Sequence, residues 1–194
     1  MADPFQACLA FTLAQEGGWS SDPYDPGGAT NRGLTMPDLL HWNREATVDD
    51  LRAMPDDLVS ALYRALYWMP VRGWALWPGL DLMLFDAAVN TGVGVATKQL
   101  QRLLHVPPDG ALGVVTAQAA RSVDDRATLL AAFHGAQCAA YRAMGRFPRF
   151  GRGWLARCDR RYAAACLLPP ATPVALAAAL AAEALGNSAA GASA

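Results

Sequence analysis

Apolar residues recur along most of this chain at the three-to-four-residue spacing of one helix face, and no segment shows the sustained alternation of a strand. The first such segment opens with Asp3 as a cap and Pro4 in the first turn, and carries Phe5, Cys8, Leu9, Thr12 and Leu13 on one side. Gly17 is the expected stop, which makes Glu16 the last residue of that helix. Two further helices are predicted over residues 36–43 and 55–69, the second with Leu58, Leu62, Leu66 and Met69 along its apolar side. Thr35-Met36-Pro37-Asp38 reads as a cap with an acidic residue in the first turn, so Thr35 has a structural use as well as a chemical one. Another helix covers residues 80–90, where Asn90 either lines a cleft or, more simply, caps the next helix at Thr91 or Gly92. The pattern predicts an all-α (mainly α) protein. Trp68, Trp74 and Trp77 fall in or just after the second of these helices, and in a small helical fold such rings serve the core more often than a ligand.

Between the first and second helices lies a polar, glycine-rich segment, Glu16-Gly17-Gly18-Trp19-Ser20-Ser21-Asp22-Pro23-Tyr24-Asp25-Pro26-Gly27-Gly28-Ala29-Thr30-Asn31-Arg32-Gly33-Leu34-Thr35. An ionised carboxylate is disfavoured at the negative end of a helix dipole, which suits Glu16 to the part of a general acid. Asp22 and Asp25 follow it in a stretch whose prolines and glycines can turn the chain back across the helix end, and either can face Glu16. A protonated carboxyl paired with an ionised one is the arrangement that glycosidic bond cleavage uses.

E-G-G-W-S-x-D-P-x-D-P-G-G-A-T-N-x-G-L-T resembles the active-site segment of the glycoside hydrolase family 108 muramidases, lysozyme-like enzymes of phages and bacteria. The resemblance implies a mostly helical lysozyme-like fold and cleavage of the β-1,4 bond between N-acetylmuramic acid and N-acetylglucosamine in peptidoglycan. It maps the family's catalytic glutamate onto Glu16. Asp25 is favoured by spacing as the second catalytic group, with Asp22 the alternative, and Thr30 or Thr35 are candidates for holding a water. Trp19 stands where the family usually carries tyrosine, and either ring can pack on a sugar face.

Beyond Gly92 the character of the chain changes. Leu100-Gln101-Arg102-Leu103-Leu104, then Asp109-Gly110, Gly113 and Thr116, resembles the L-Q-x-x-L…D-G-x-x-G-x-x-T pattern of small helical peptidoglycan-binding modules. The expected organisation is a catalytic domain at residues 5–91, a helical peptidoglycan-binding module at 92–167, and an Ala/Pro-rich tail at 168–194. Charge divides the chain similarly. Residues 1–97 hold five Arg or Lys against twelve Asp or Glu, and residues 98–166 hold eleven against four. Arg142, Arg146, Arg149, Arg152, Arg157, Arg160 and Arg161 predict a basic face for anionic wall polymers, unless they are simply solvated or pair with the acidic half.

The four cysteines, Cys8, Cys138, Cys158 and Cys166, show no C-x-x-C or Cys/His spacing and read as free, helix-buried thiols, so no metal and no other cofactor is expected. Cys158 and Cys166, eight residues apart on one helix, stand about 12 Å apart and cannot bridge. The amino terminus lacks a basic region followed by a long apolar run, so no ordinary secretory signal is expected. Residues 162–182 carry no charge, but Pro169, Pro170 and Pro173 break that run, so no transmembrane segment is expected. A wall substrate then calls for a holin or another membrane-permeabilising partner, or release on lysis, with action in the periplasm or outside the cell. The rival readings are a lytic transglycosylase, which uses the same acid without water, and a non-catalytic binder of wall polymer or nucleic acid. Nucleic acid is not the expected partner.

Overall fold

The computed structural model describes residues 3–21 and 28–168. Nine α-helices and a single two-stranded hairpin make up the regular structure among them, a mainly-α architecture. The chain divides into two compact units, Met1–Pro70 and Val71–Ala194.

The first unit begins with α1 (Pro4–Leu13). The Asp3 carboxylate accepts a hydrogen bond from Phe5 N at 3.1 Å, Pro4 occupies the first turn, and Phe5, Cys8, Leu9 and Thr12 form the buried side. The helix ends earlier than Gly17 predicts. Its regular hydrogen bonding stops at Leu13, because the Thr12 carbonyl is shared between Gln15 N at 2.9 Å and Glu16 N at 3.2 Å, tightening the chain into a turn. Gly17 does not take the left-handed conformation of a helix stop, and Glu16 sits in the turn past the helix end.

Strands β1 (Thr30–Asn31) and β2 (Leu34–Thr35) pair antiparallel, with Thr30 opposite Thr35. Each strand is two residues long, too short for alternation to announce it. A bridge from Ser20 to Thr30, 2.8 Å in each direction, ties the chain after Glu16 to the same hairpin. Helix α2 (Met36–Trp42) starts at a reciprocal capping box. Asp38 N donates to Thr35 Oγ1 at 3.4 Å, while Asp38 Oδ2 accepts from Thr35 N at 2.9 Å and Thr35 Oγ1 at 2.7 Å. Helix α3 (Val48–Arg52) uses the same device with Thr47 and Asp50.

Helix α4 (Asp56–Tyr63) runs on into a π-helical turn, Arg64–Trp68, closed by the bond from Met69 N to Arg64 O at 2.8 Å. One extra residue per turn rotates everything after it. Leu62 is buried as predicted, beside Val59 and Tyr63, but past the π turn the buried residue is Trp68, and Met69 is 43% exposed. Trp68 packs at 5.6 Å between ring centroids against Phe5, bringing this turn onto α1.

In the second unit α5 (Leu80–Thr91) is the central element: every residue from Leu80 to Ala88 is buried. A helix buried on all sides needs neighbours all round, and α6 (Val93–Leu103), α8 (Arg126–Arg142), α9 (Phe147–Leu167) and the short 3-10 turn Gly73–Ala75 supply them. Helix α7 (Val114–Arg121) is pinned to the stretch before α5 by Trp77 Nε1 donating to Ala120 O at 2.9 Å and Arg121 Nε donating to Ala75 O at 3.0 Å. Trp68 and Trp77 are core residues, as the helical reading expects.

Two of the seven arginines expected on a basic face are interior. Arg161 and Asp86 have no exposed side-chain surface, and Arg157 retains 12%; Arg157 Nη2 lies 2.6 Å and Arg161 Nη1 2.9 Å from the Asp86 carboxylate. Burying a carboxylate demands such partners, so these arginines neutralise the middle of α5. Cys8, Cys138 and Cys158 are buried, whereas Cys166 is exposed, and none of the four forms a disulfide. No helix among the described residues is long and apolar enough to cross a membrane.

Candidate active site

The hairpin turn seats Glu16. Arg32 and Gly33 link the strands with φ of 50° and 78°, the pair of positive values that a type I′ turn requires. Glycine meets that demand at Gly33 without cost, and a second reason excludes a side chain there. A Cβ on Gly33 would stand 2.6 Å from the Tyr63 hydroxyl and 2.9 Å from both Cδ and Oε2 of Glu16. The Glu16 carboxyl thus lies directly over the α-carbon of the turn, with the Tyr63 phenol beside it.

Arg32 has no such freedom and is held by its contacts. Its Nη1 lies 2.6 Å from Asp56 Oδ1, its Nη2 donates to Met54 O, and its carbonyl accepts from Tyr63 Oη at 2.7 Å. Asn31, 7% exposed, donates to the carbonyls of Leu51 and Arg52, both at 2.9 Å, fastening the hairpin to the end of α3. The seat of Glu16 is therefore braced from α3, from the start of α4 and from its last residue, Tyr63.

Tyr67, in the π-helical turn, packs 5.6 Å from the ring of Tyr63. Burial, and then the charges of Asp38 and Glu16, push its phenol up to about 12. Tyr67 therefore stays a neutral hydroxyl across the neutral pH range, close to two carboxyl groups. Trp19 is half-buried, with the Arg52 guanidinium 4.5 Å above its ring centroid. Thr30 and Thr35 face each other across the hairpin, and Thr35 carries the cap of α2.

Residues 9–92 match the model of the family described as Glycosyl hydrolase 108. The solved structure of SagA from Brucella abortus is 31% identical, with a TM-score of 0.77, over 84% of this chain and 93% of that one. The chain belongs to glycosyl hydrolase family 108. It is a glycoside hydrolase, and at the level of the family a peptidoglycan hydrolase of the muramidase type. No curated protein matches it.

Within this family 108 chain, Glu16, Trp19, Thr30 and Thr35 are gathered in the first unit around the one hairpin. Asp22 and Asp25 lie outside the described residues. Asn90 belongs to the second unit, and its expected capping role is not what it does. Its Nδ2 donates back to Asp86 O at 2.8 Å, within α5, and α6 starts at Gly92 without a side-chain cap. Gly33, Tyr63 and Tyr67 surround Glu16 without having been singled out from the sequence. The available signal was the four-residue spacing of the two tyrosines, which places them on one side of a helix.

In the second unit the Asp109-Gly110 motif is held by Gln101. The buried Gln101 Nε2, with two hydrogens to give, lies 2.7 Å from Asp109 Oδ1, 3.0 Å from Ala111 O and 3.1 Å from Thr116 Oγ1, and its Oε1 accepts from Gly110 N at 2.9 Å. The Gln101 and Ala111 N–H groups hold the Asp109 carboxyl below the usual range. The motif residues thus fold one loop onto α6 and α7.

Proposed function

We propose that this chain hydrolyses the β-1,4 bond between N-acetylmuramic acid and N-acetylglucosamine, with Glu16 protonating the glycosidic oxygen. The observation that carries the reading is the seat of Glu16, a carboxyl laid over a glycine turn and braced by Tyr63 and Arg32. Catalysis gains from a donor fixed before substrate arrives, since the barrier then includes no search for its position. Asp25 activates water or stabilises the developing oxocarbenium ion, with Asp22 as the substitute by spacing. Thr30 orients water on the hairpin face; Thr35 is largely committed to its cap. One face of Trp19 carries Arg52, so a sugar contact falls to the other face. Residues 5–91 form the catalytic part and residues 92–167 a module that holds glycan strands, helped by the exposed Arg142, Arg146, Arg149, Arg152 and Arg160. Access to the wall, for lysis or remodelling, comes through a holin or another permeabilising partner.

The test is mass spectrometry of the soluble fragments released from purified peptidoglycan by the wild type and by Glu16→Gln. Reducing N-acetylmuramic acid ends from the wild type, reduced about 10²–10⁴-fold in a folded Glu16→Gln protein, are expected for loss of a general acid. Anhydromuramic ends would make the enzyme a transglycosylase, and undiminished release by the variant would remove Glu16 from the mechanism.

A further inference from the structure

Helices α8 and α9 bring three ligand-type side chains to one point, far along the sequence from Glu16. His134 and Cys138 are one turn apart on α8, and Asp159 reaches them from α9. His134 Nε2 is 2.9 Å from Asp159 Oδ1 and 3.5 Å from Cys138 Sγ, and all three ligand atoms lie within 4.8 Å of one another. Both contacts converge on the same ring nitrogen. A nucleophilic Cys-His-Asp relay needs the thiol on one imidazole nitrogen and the carboxylate on the other, so the arrangement is unsuited to passing a proton and suited to surrounding an ion.

We infer that His134, Cys138 and Asp159 form a binding site for a borderline-soft divalent metal, zinc in the first instance. Tetrahedral bonds of about 2.3 Å to sulfur and 2.0–2.1 Å to nitrogen place S and N about 3.5 Å apart, which is the Sγ to Nε2 separation present. The N to O edge of such a site is about 3.3 Å. The S to O edge is about 3.6 Å, while the three ligand atoms span up to 4.8 Å, so Asp159 has to swing by about an ångström from its bond with His134 toward the Cys138 thiol, and its side chain, 67% exposed, has room to do so. Thiolate, imidazole and carboxylate together select zinc over calcium or magnesium, which favour all-oxygen shells. Metal binding displaces the thiol proton of Cys138 to solvent.

The surroundings are arranged for such a site. Cys138 is 5% exposed and the His134 side chain 23%, so the ligands grade from core to surface and the fourth coordination position falls to water on the exposed side. The His134 ring stacks on Tyr162, with centroids 4.9 Å apart and planes at 22°, which fixes the imidazole plane in the way that outer groups orient metal ligands. The neighbouring Arg157 and Arg161 are engaged with Asp86. The ion would clamp the two longest helices of the second unit midway along their lengths. The sequence expectation of no metal rests on the absence of C-x-x-C and Cys/His spacing; here a His/Cys pair one turn apart on one helix is joined by a residue from the next.

The experiment is titration of chelator-treated full-length protein with zinc by calorimetry and with cobalt by absorption. One equivalent per chain is expected, and cobalt should show a thiolate charge-transfer band that Cys138→Ser abolishes and Cys166→Ser leaves intact. Asp159→Asn, at an exposed position that does not threaten folding, should weaken zinc binding by at least the about 10–100-fold that loss of an outer-shell partner costs. Absence of saturable binding, a charge-transfer band that persists in Cys138→Ser, or zinc affinity unchanged in Asp159→Asn would overturn the assignment.

Discussion

Replacing Gly33 by alanine tests whether the hairpin turn positions Glu16, the proposed acid. Two costs arise at once. A φ of 78° is left-handed backbone, which costs a residue with a Cβ roughly 1–2 kcal/mol. The new methyl also stands 2.6 Å from the Tyr63 hydroxyl and 2.9 Å from the Glu16 carboxyl, whereas ordinary contact begins near 3.4 Å. Tyr63 can yield only by giving up its hydrogen bond to Arg32 O, about 1 kcal/mol, or Glu16 must move. Together these predict a loss of about 2–3 kcal/mol and, at about 2–4 °C per kcal/mol for a chain of this length, a fall in Tm of about 4–12 °C. Displacement of an acid by a sizeable fraction of an ångström should also lower kcat by up to about 10²-fold. Gly28→Ala separates the two costs, because Gly28 has a φ of 70° with nothing within 4 Å of its would-be Cβ. It should lose only the backbone part in Tm. Calorimetry and turbidity loss of purified wall measure the two quantities. Wild-type kcat in Gly33→Ala, with a Tm loss no larger than that of Gly28→Ala, would show that the turn does not seat Glu16.

Two further perturbations probe the second unit. Burial pushes the Asp81 carboxyl up to about 7, against the opposing hydrogen bonds from Leu82 N and Gly79 N. A carboxyl whose folded value is raised stabilises the fold fully below its unfolded value near 4 and loses that contribution as pH rises through 7. Urea midpoints of the wild type should therefore fall between pH 4 and pH 8 more steeply than those of Asp81→Asn, which keeps the acceptor but not the charge; parallel profiles would refute this. Asp86→Ala leaves Arg157 and Arg161 buried without their carboxylate, and removing one partner of a buried charge cluster costs about 3–5 kcal/mol. Chemical denaturation should show a loss of that order, little affected by salt, and a loss under about 1 kcal/mol would mean that water already screens the cluster.

What could be read from the sequence was local. Asp3 and Pro4 announce α1 because a cap acts on the next two or three residues, and Thr35 with Asp38 announces α2 for the same reason. The end of α1 was misplaced because Gly17 offered a stop that the chain does not use: the shared Thr12 carbonyl closes the helix first. The side of α4 that faces the core was misjudged from Leu66 onward, because a π turn leaves no mark in a 3.6-residue pattern. Pairing of the second half's arginines with the acidic half is one of the sequence alternatives, but the partner of Arg157 and Arg161 could not be named, because Asp86 is 71 and 75 residues away.

The candidate site shows the same division at closer range. Glu16 and its hairpin belong to one contiguous run, so a pattern of some twenty residues could single out Glu16 as the candidate acid. Its seat could not be identified that way, since Tyr63 arrives from 31 residues beyond Arg32 and Tyr67 through an irregular turn. Gly33 links the two scales. In the run it is one glycine among several, but the structure gives it a particular reason to lack a side chain: Tyr63 and Glu16 already occupy that space. The motif therefore specifies both the candidate carboxyl and the gap into which that group fits. A substitution that preserves every carboxylate can still remove activity if it fills the gap.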